Sequence, residues 1–286
     1  MNVSVPATLS GAAHLLEQYN AFAIDLDGVV WRGEILIPGA INGLNAIRAT
    51  GKPMLLLTNN GGYHPNEVVE RLAEGGFELA PEEVLTTSLV AREWIVGHGL
   101  ENAPAFILAP QTVAAQLSDI VRIRYLEPGQ TAKVVLIGRD TDFSYTRLRL
   151  AAEAVRSGAS FLSLNKDPIM PIENGGMLPG TGSIVAAVEA ASGKTATVLG
   201  KPEEPMMRAA AERLGYDKVL MIGDRLESDI VGAKSIGWDG ALVLTGLTLS
   251  DAGLDPEPDW LLTSLEALAL AGDASGKEVL EVQEGG

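Results

Sequence analysis

The sequence predicts an α/β fold with a mainly parallel sheet, interrupted by a second, inserted α/β domain. Three observations carry this. Short apolar, β-rich runs alternate with helical stretches through most of the 286 residues, the pattern of strand–helix–strand units. Polar groups follow four of those runs directly. Two Pro- and Gly-rich segments, 80–84 and 170–182, bracket about a hundred residues that have strands and helices of their own, enough for a small domain.

The first run, "AFAI" (21–24), is apolar at every position, as a strand covered on both faces should be. Ile41, Leu44 and Ile47 then recur at helical spacing. "MLLL" (54–57) is the next strand, and Pro65 starts a helix with Val68, Val69 and Leu72 on one stripe. The bracketed segment holds the strands "AFILA" (105–109), "KVVLIG" (133–138) and "SFLSL" (160–164), with a helix over 144–158 that stops at a glycine. Beyond it come "TVLG" (197–200), a helix over 202–215, "KVLMIG" (218–223) and "ALVLTG" (241–246). The polar tail 272–286 reads as partly disordered. The predicted division is a core domain of residues 1–81 and 180–286 around an inserted domain of 82–179.

Composition narrows the function. A net charge of −16 argues against nucleic-acid and anionic-membrane partners, which are bound largely through Lys and Arg. No apolar run approaches the roughly 18 residues of a membrane span. "MNVSVPATLS" lacks the basic flank and apolar core of a signal peptide. With no cysteine there is neither a disulfide nor a thiolate metal site, and the cytoplasm is the simplest compartment. The three histidines, His14, His64 and His98, lack metal-ligand spacing.

The chemistry sits at four strand ends. "AFAI" runs into Asp25-Leu26-Asp27-Gly28 and "MLLL" into Thr58-Asn59-Asn60. "TVLG" runs into Lys201-Pro202, and "KVLMIG" into Asp224, with Asp229 close behind. In open parallel sheets the ligand crevice lies beyond the carboxyl ends of the strands, so these groups are expected to converge. Asp25 and Asp27, two positions apart, should leave a strand on the same face. Like charges so placed call for a cation, a shared proton or solvent. An all-oxygen set of carboxylates suits a hard ion such as Mg²⁺. A hydroxyl, an amide and an ammonium group suit an anionic oxygen cluster, which Gly28 lets the backbone approach. Acid, Mg²⁺ and phosphate donors together suggest phosphoryl transfer, with one aspartate attacking phosphorus and the other handling protons. Taken singly, each segment would pass for a polar turn. Four in order at strand ends read as one site.

"DLDGVVW", "LLLTNN", "GKPEEPM" and "GDRLESDI" resemble the four ordered motifs of the haloacid dehalogenase-like (HAD) superfamily. The order, spacing and long insert resemble its subfamily IIA phosphatases, the NagD-like and 4-nitrophenyl phosphatase-like group, over roughly residues 20–270. The resemblance implies a Rossmann-like core with an inserted C2-type cap. It implies a Mg²⁺-dependent phosphatase acting on a small-molecule phosphate monoester: a sugar phosphate, glycerol phosphate, phosphoglycolate, pyridoxal phosphate or nucleotide. Carried over by position, Asp25 would be the nucleophile and Asp27 the general acid/base. Thr58 and Lys201 would hold the phosphoryl group, and Asn59 and Asn60 would lie in the phosphate region with Gly28. Mg²⁺ would be held by Asp25, the Asp27 backbone carbonyl and Asp224, with Asp229 in support. "SLNKDP" (163–168) resembles the family's Asn-x-Asp segment, so Asn165 and Asp167 would line the cap side of the cleft. Cap surfaces associate in the group, which favours a homodimer.

Two other readings use similar residues. A phosphomutase would return its phosphoryl group to substrate. A non-enzymatic phospho-receiver would store it, but Asp27 supplies an acid/base that storage does not want, and the long insert suits a lid better than a receiver.

Overall fold

The computed structural model describes residues 8–124, 127, 129–171, 176–246 and 255–270. The tail 272–286 and part of the 170–182 segment lie outside the described residues. The chain divides into two compact units, one of residues 1–57, 72–79 and 210–286, the other of 58–71 and 80–209. The unit that includes 82–179 therefore also takes in 58–71 and 180–209.

In the first unit a parallel sheet runs in the order Thr8–Leu9, Trp260–Leu262, Asp239–Val243, Val219–Gly223, Ala21–Asp25 and Met54–Thr58. The three strands Val219–Gly223, Ala21–Asp25 and Met54–Thr58 are buried at every position. That explains their unbroken apolar runs, since both faces of the sheet are covered. Full burial of side chains such as Phe22, Ile24 and Leu56 contributes about 1.5–3 kcal/mol each. The helix Ala40–Ala49 buries Ala40, Leu44 and Ile47; of the stripe expected at three-residue spacing Leu44 and Ile47 are buried, while Ile41 is only half-buried. Its Gly43 lies close against the backbone of Leu265.

The second unit has its own five-stranded parallel sheet, in the order Thr197–Val198, Ser160–Ser163, Val134–Ile137, Pro104–Leu108 and Arg122–Ile123. Its core joins Phe106, Val135, Ile137 and Phe161 to Leu150 and Val155 of the helix Tyr145–Arg156 and Val185 and Val188 of the helix Thr181–Ser192. Ser144 caps the first of these helices, its hydroxyl accepting the Arg147 N–H at 3.3 Å. The bracketing segment 170–182 contributes, with Ile169, a short antiparallel pair, Ile169–Pro171 with Met177–Pro179. Among the described residues no helix is long and apolar enough to cross a membrane.

Candidate active site

The carboxyl end of the first unit's sheet gathers the acids. Asp25 ends the strand Ala21–Asp25. Ile24 pairs with Ile222 of the neighbouring strand, so Gly223 and then Asp224 lie at the same end. On the other side Asp25 is in register with Leu57, and Thr58 is the next residue of that strand. Asp229 comes from the single π-helical turn Leu226–Ile230, a geometry frequent at functional sites. Its Oδ2 accepts the Arg225 N–H at 3.1 Å, which folds it back towards Asp224. Carboxylate oxygens of Asp25, Asp224 and Asp229 all lie within 4.8 Å of one another, and all three residues are buried. Two unit charges at such a separation repel by on the order of 3 kcal/mol at an effective dielectric near 20. Holding three there calls for compensation.

Asp27 lies past the end of the strand. The strand stops at Asp25, so two-residue alternation no longer governs Asp27, and a tight turn takes over. The N–H groups of Val30 and Trp31 both donate to the Leu26 carbonyl, at 2.9 and 3.2 Å. This returns the wholly buried Trp31 to its neighbour, where indole Nε1 donates to Asp27 Oδ1 at 3.1 Å. Gly28, in the same turn, has φ +94°, and a Cβ there would stand 2.3 Å from Asp224 Oδ2. A Cβ at Gly246 would stand 1.8 Å from that same oxygen. Thr245 ties the two glycine segments together, its hydroxyl donating to the Gly28 carbonyl at 2.7 Å, while the Arg32 guanidinium donates to the Thr245 carbonyl. Bare backbone thus walls the Asp224 carboxylate on two sides.

The second unit holds the proposed phosphate donors. Thr58 is wholly buried, and its Oγ1 accepts the Asn60 N–H at 3.0 Å. Lys201 is 3% exposed. Asn59 and Lys201 are joined by two hydrogen bonds, at 2.8 and 3.0 Å, and Asn165 Nδ2 donates to the Asn59 carbonyl at 2.9 Å. Asn165 Oδ1 accepts the Asp167 N–H at 3.2 Å, fixing the Asn-x-Asp turn. Between them Lys166 pairs with Glu189 at 2.9 Å. Burial works against ionisation of Glu189, but Lys166 and the Ala196 N–H together hold its carboxyl below the ordinary value. Asn60 is exposed, with Oδ1 accepting the Gly62 N–H at 3.0 Å.

The acidic cluster fits a hard divalent cation. Its donors are three buried carboxylates, with no nitrogen or sulfur ligand among them, and the backbone packed against Asp224 fixes one of them closely.

Comparison with known proteins gives this geometry a family. A haloacid dehalogenase-like hydrolase model matches residues 22–120 and a HAD-hydrolase-like model matches 198–268. An acid sugar phosphatase of Staphylococcus aureus is 35% identical over 239 residues, covering 82% of this chain and 91% of the relative. The chain belongs to the haloacid dehalogenase-like hydrolase family. Among solved structures, p-nitrophenyl phosphatase from Archaeoglobus fulgidus superposes with a TM-score of 0.80 at 27% identity, covering 88% of this chain and 98% of that one. A glycerol phosphate phosphatase from Mycobacterium tuberculosis, solved in complex with magnesium, gives 0.78 at 31% identity, with 89% and 77% covered. NagD from E. coli shares the fold of this HAD hydrolase, with a TM-score of 0.75 at 23% identity, covering 87% of this chain and 98% of that one.

Thr245 and Gly246 lie outside the four motifs of this HAD hydrolase, and Trp31, the last residue of "DLDGVVW", carries no assigned role in the sequence. The apolar run "ALVLTG" predicts a strand to Gly246, whereas the strand Asp239–Val243 stops earlier and leaves Leu244–Gly246 beyond it. The strand-end rule that picked out the other motifs would have flagged Thr245 and Gly246 once that boundary was known.

Proposed function

We propose that this HAD-type phosphatase hydrolyses a small-molecule phosphate monoester through an aspartyl-phosphate on Asp25, with Mg²⁺ as cofactor. The observation that carries the reading is the cluster of Asp25, Asp224 and Asp229 within 4.8 Å at the end of the strand whose following turn holds Asp27. In the first step an Asp25 oxygen attacks phosphorus as the ester P–O bond breaks, and Asp27 gives its proton to the departing oxygen. In the second, the Asp27 carboxylate takes a proton from water, which attacks the phosphoryl group and restores Asp25 with release of phosphate. The Thr58 hydroxyl and Lys201 ammonium hold the non-bridging oxygens. When bound by Asp25, the Asp27 carbonyl and Asp224, with Asp229 behind, Mg²⁺ would neutralise charge on the transferring group.

Residues 82–179 are proposed as the cap that meets the rest of the substrate, with Asn165 and Asp167 on its cleft side. The names of the S. aureus and M. tuberculosis relatives favour a sugar phosphate or glycerol phosphate over the other esters. A homodimer in the cytoplasm is the proposed state. The test is phosphate release across a panel of esters with Mg²⁺, for the wild type and Asp25→Asn. The variant is expected to lose turnover by more than about 10³-fold, as removal of a nucleophile acting in a concerted unit does. A fully active Asn variant would refute the mechanism.

A further inference from the structure

We infer that Asn59 is a positioning residue for Lys201, braced in turn by Asn165 and Thr87. The inference rests on Lys201 holding the phosphoryl group, as proposed above. Asn59 Oδ1 accepts the Lys201 N–H at 2.8 Å, and Asn59 Nδ2 donates to the Lys201 carbonyl at 3.0 Å. One planar carboxamide therefore pairs with both backbone polar groups of a residue 142 positions away, as a neighbouring strand would. The substitution for a strand is needed there. The strand Thr197–Val198 ends before Lys201, so no sheet ladder fixes the lysine backbone.

The clamp is itself held. The Asn59 carbonyl accepts Asn165 Nδ2 at 2.9 Å and Thr87 Oγ1 at 3.3 Å. Gly200, just before Lys201, admits the amide because it has no side chain; a Cβ there would stand 2.5 Å from Asn59 Oδ1. Lysine carries its charge on a flexible four-carbon stem, so the ammonium is no better placed than the Cα it hangs from. In a reaction governed by positioning, a misplacement near 1 Å costs about 10²-fold. Asn59, expected from sequence to lie in the phosphate region, gives one hydrogen bond from each end of its amide to the lysine backbone. The cap-side Asn165 acts one step further back.

The test is a double-mutant cycle on p-nitrophenyl phosphate hydrolysis with Mg²⁺, using wild type, N59A, K201A and N59A/K201A. Thermal unfolding establishes that each variant is folded at the assay temperature. N59A is expected to lower kcat about 10²-fold in the wild-type background and less than about threefold in the K201A background, because a residue that acts through Lys201 has nothing left to position. N59D, which keeps the acceptor and loses the donor, should fall with N59A. Should N59A fail to fold, N165A removes only the brace, and about a tenfold loss that likewise vanishes with K201A is expected. A purely structural role would lower the melting temperature and leave kcat per folded molecule unchanged. That result, or losses that multiply in the double variant, overturns the inference while leaving the phosphatase reading intact. A wild type that releases no phosphate from any ester overturns both.

Discussion

Replacing Gly246 by alanine places a methyl group where the structure has none to spare. The added Cβ would lie 1.8 Å from Asp224 Oδ2 and 2.3 Å from both Cβ and Cγ of that residue. Ordinary carbon contacts begin near 3.5 Å, so either the carboxylate or the backbone must move by about 1.5 Å. Mg²⁺ binds oxygen at about 2 Å in near-ideal octahedral geometry, and a shift of that size takes a ligand out of reach. The expected outcome is a rise of at least about tenfold in the Mg²⁺ concentration giving half-maximal phosphate release, with kcat/KM down about 10²-fold at fixed Mg²⁺. Gly97, with nothing within 4 Å of its ideal Cβ, supplies the control, since Gly97→Ala should leave both quantities unchanged. A Gly246→Ala protein that is folded and activated by Mg²⁺ within twofold of wild type would refute the packing of backbone against Asp224 as a determinant of metal binding.

Chelation with EDTA should silence the wild type and added Mg²⁺ restore it; activity that persists after exhaustive chelation would remove the cofactor from the mechanism. Trp31→Phe takes the indole donor from Asp27 Oδ1, a hydrogen bond to a carboxylate whose loss costs about 1.5–3 kcal/mol. A fall of roughly tenfold or more in kcat, read beside a modest drop in melting temperature, is expected, and an unchanged kcat would show that Asp27 needs no such support. Glu189→Gln tests the held-down carboxyl beside the Asn165–Asp167 turn. A folded-state value below the usual 4.5 contributes stability above that pH and loses it as pH falls through the folded value. The variant should be less stable than wild type at pH 7 by about 0.5 kcal/mol, a solvent-screened magnitude. The gap should close as the pH falls through the folded value in melts run as a pH series; a gap independent of pH would assign it to packing.

The legible parts of the fold were those with a local signature. "AFAI", "MLLL" and "KVLMIG" are apolar throughout because they lie between covered faces, and all became strands. Trp260–Leu262 and Thr8–Leu9 did not stand out, being too short to separate from loop, although they complete one side of the sheet. The acids of the site were legible because each follows a strand directly, or nearly so. Their supports were not. The Asn59–Lys201 clamp joins residues with no sequence relation to each other, and the Asp27–Trp31 bond depends on where a strand stops, which composition does not mark.

The acidic cluster offers only oxygen donors, in a chain with no cysteine. Such a catalyst has no thiolate for peroxide to oxidise, and alkylating reagents find no sulfhydryl. Met206, Met207 and Met221 are wholly enclosed, whereas Met177, on the antiparallel pair of the second unit, is 60% exposed. Among the described methionines oxidative wear is thereby directed at that hairpin, and the clustered carboxylates are indifferent to the redox state around them.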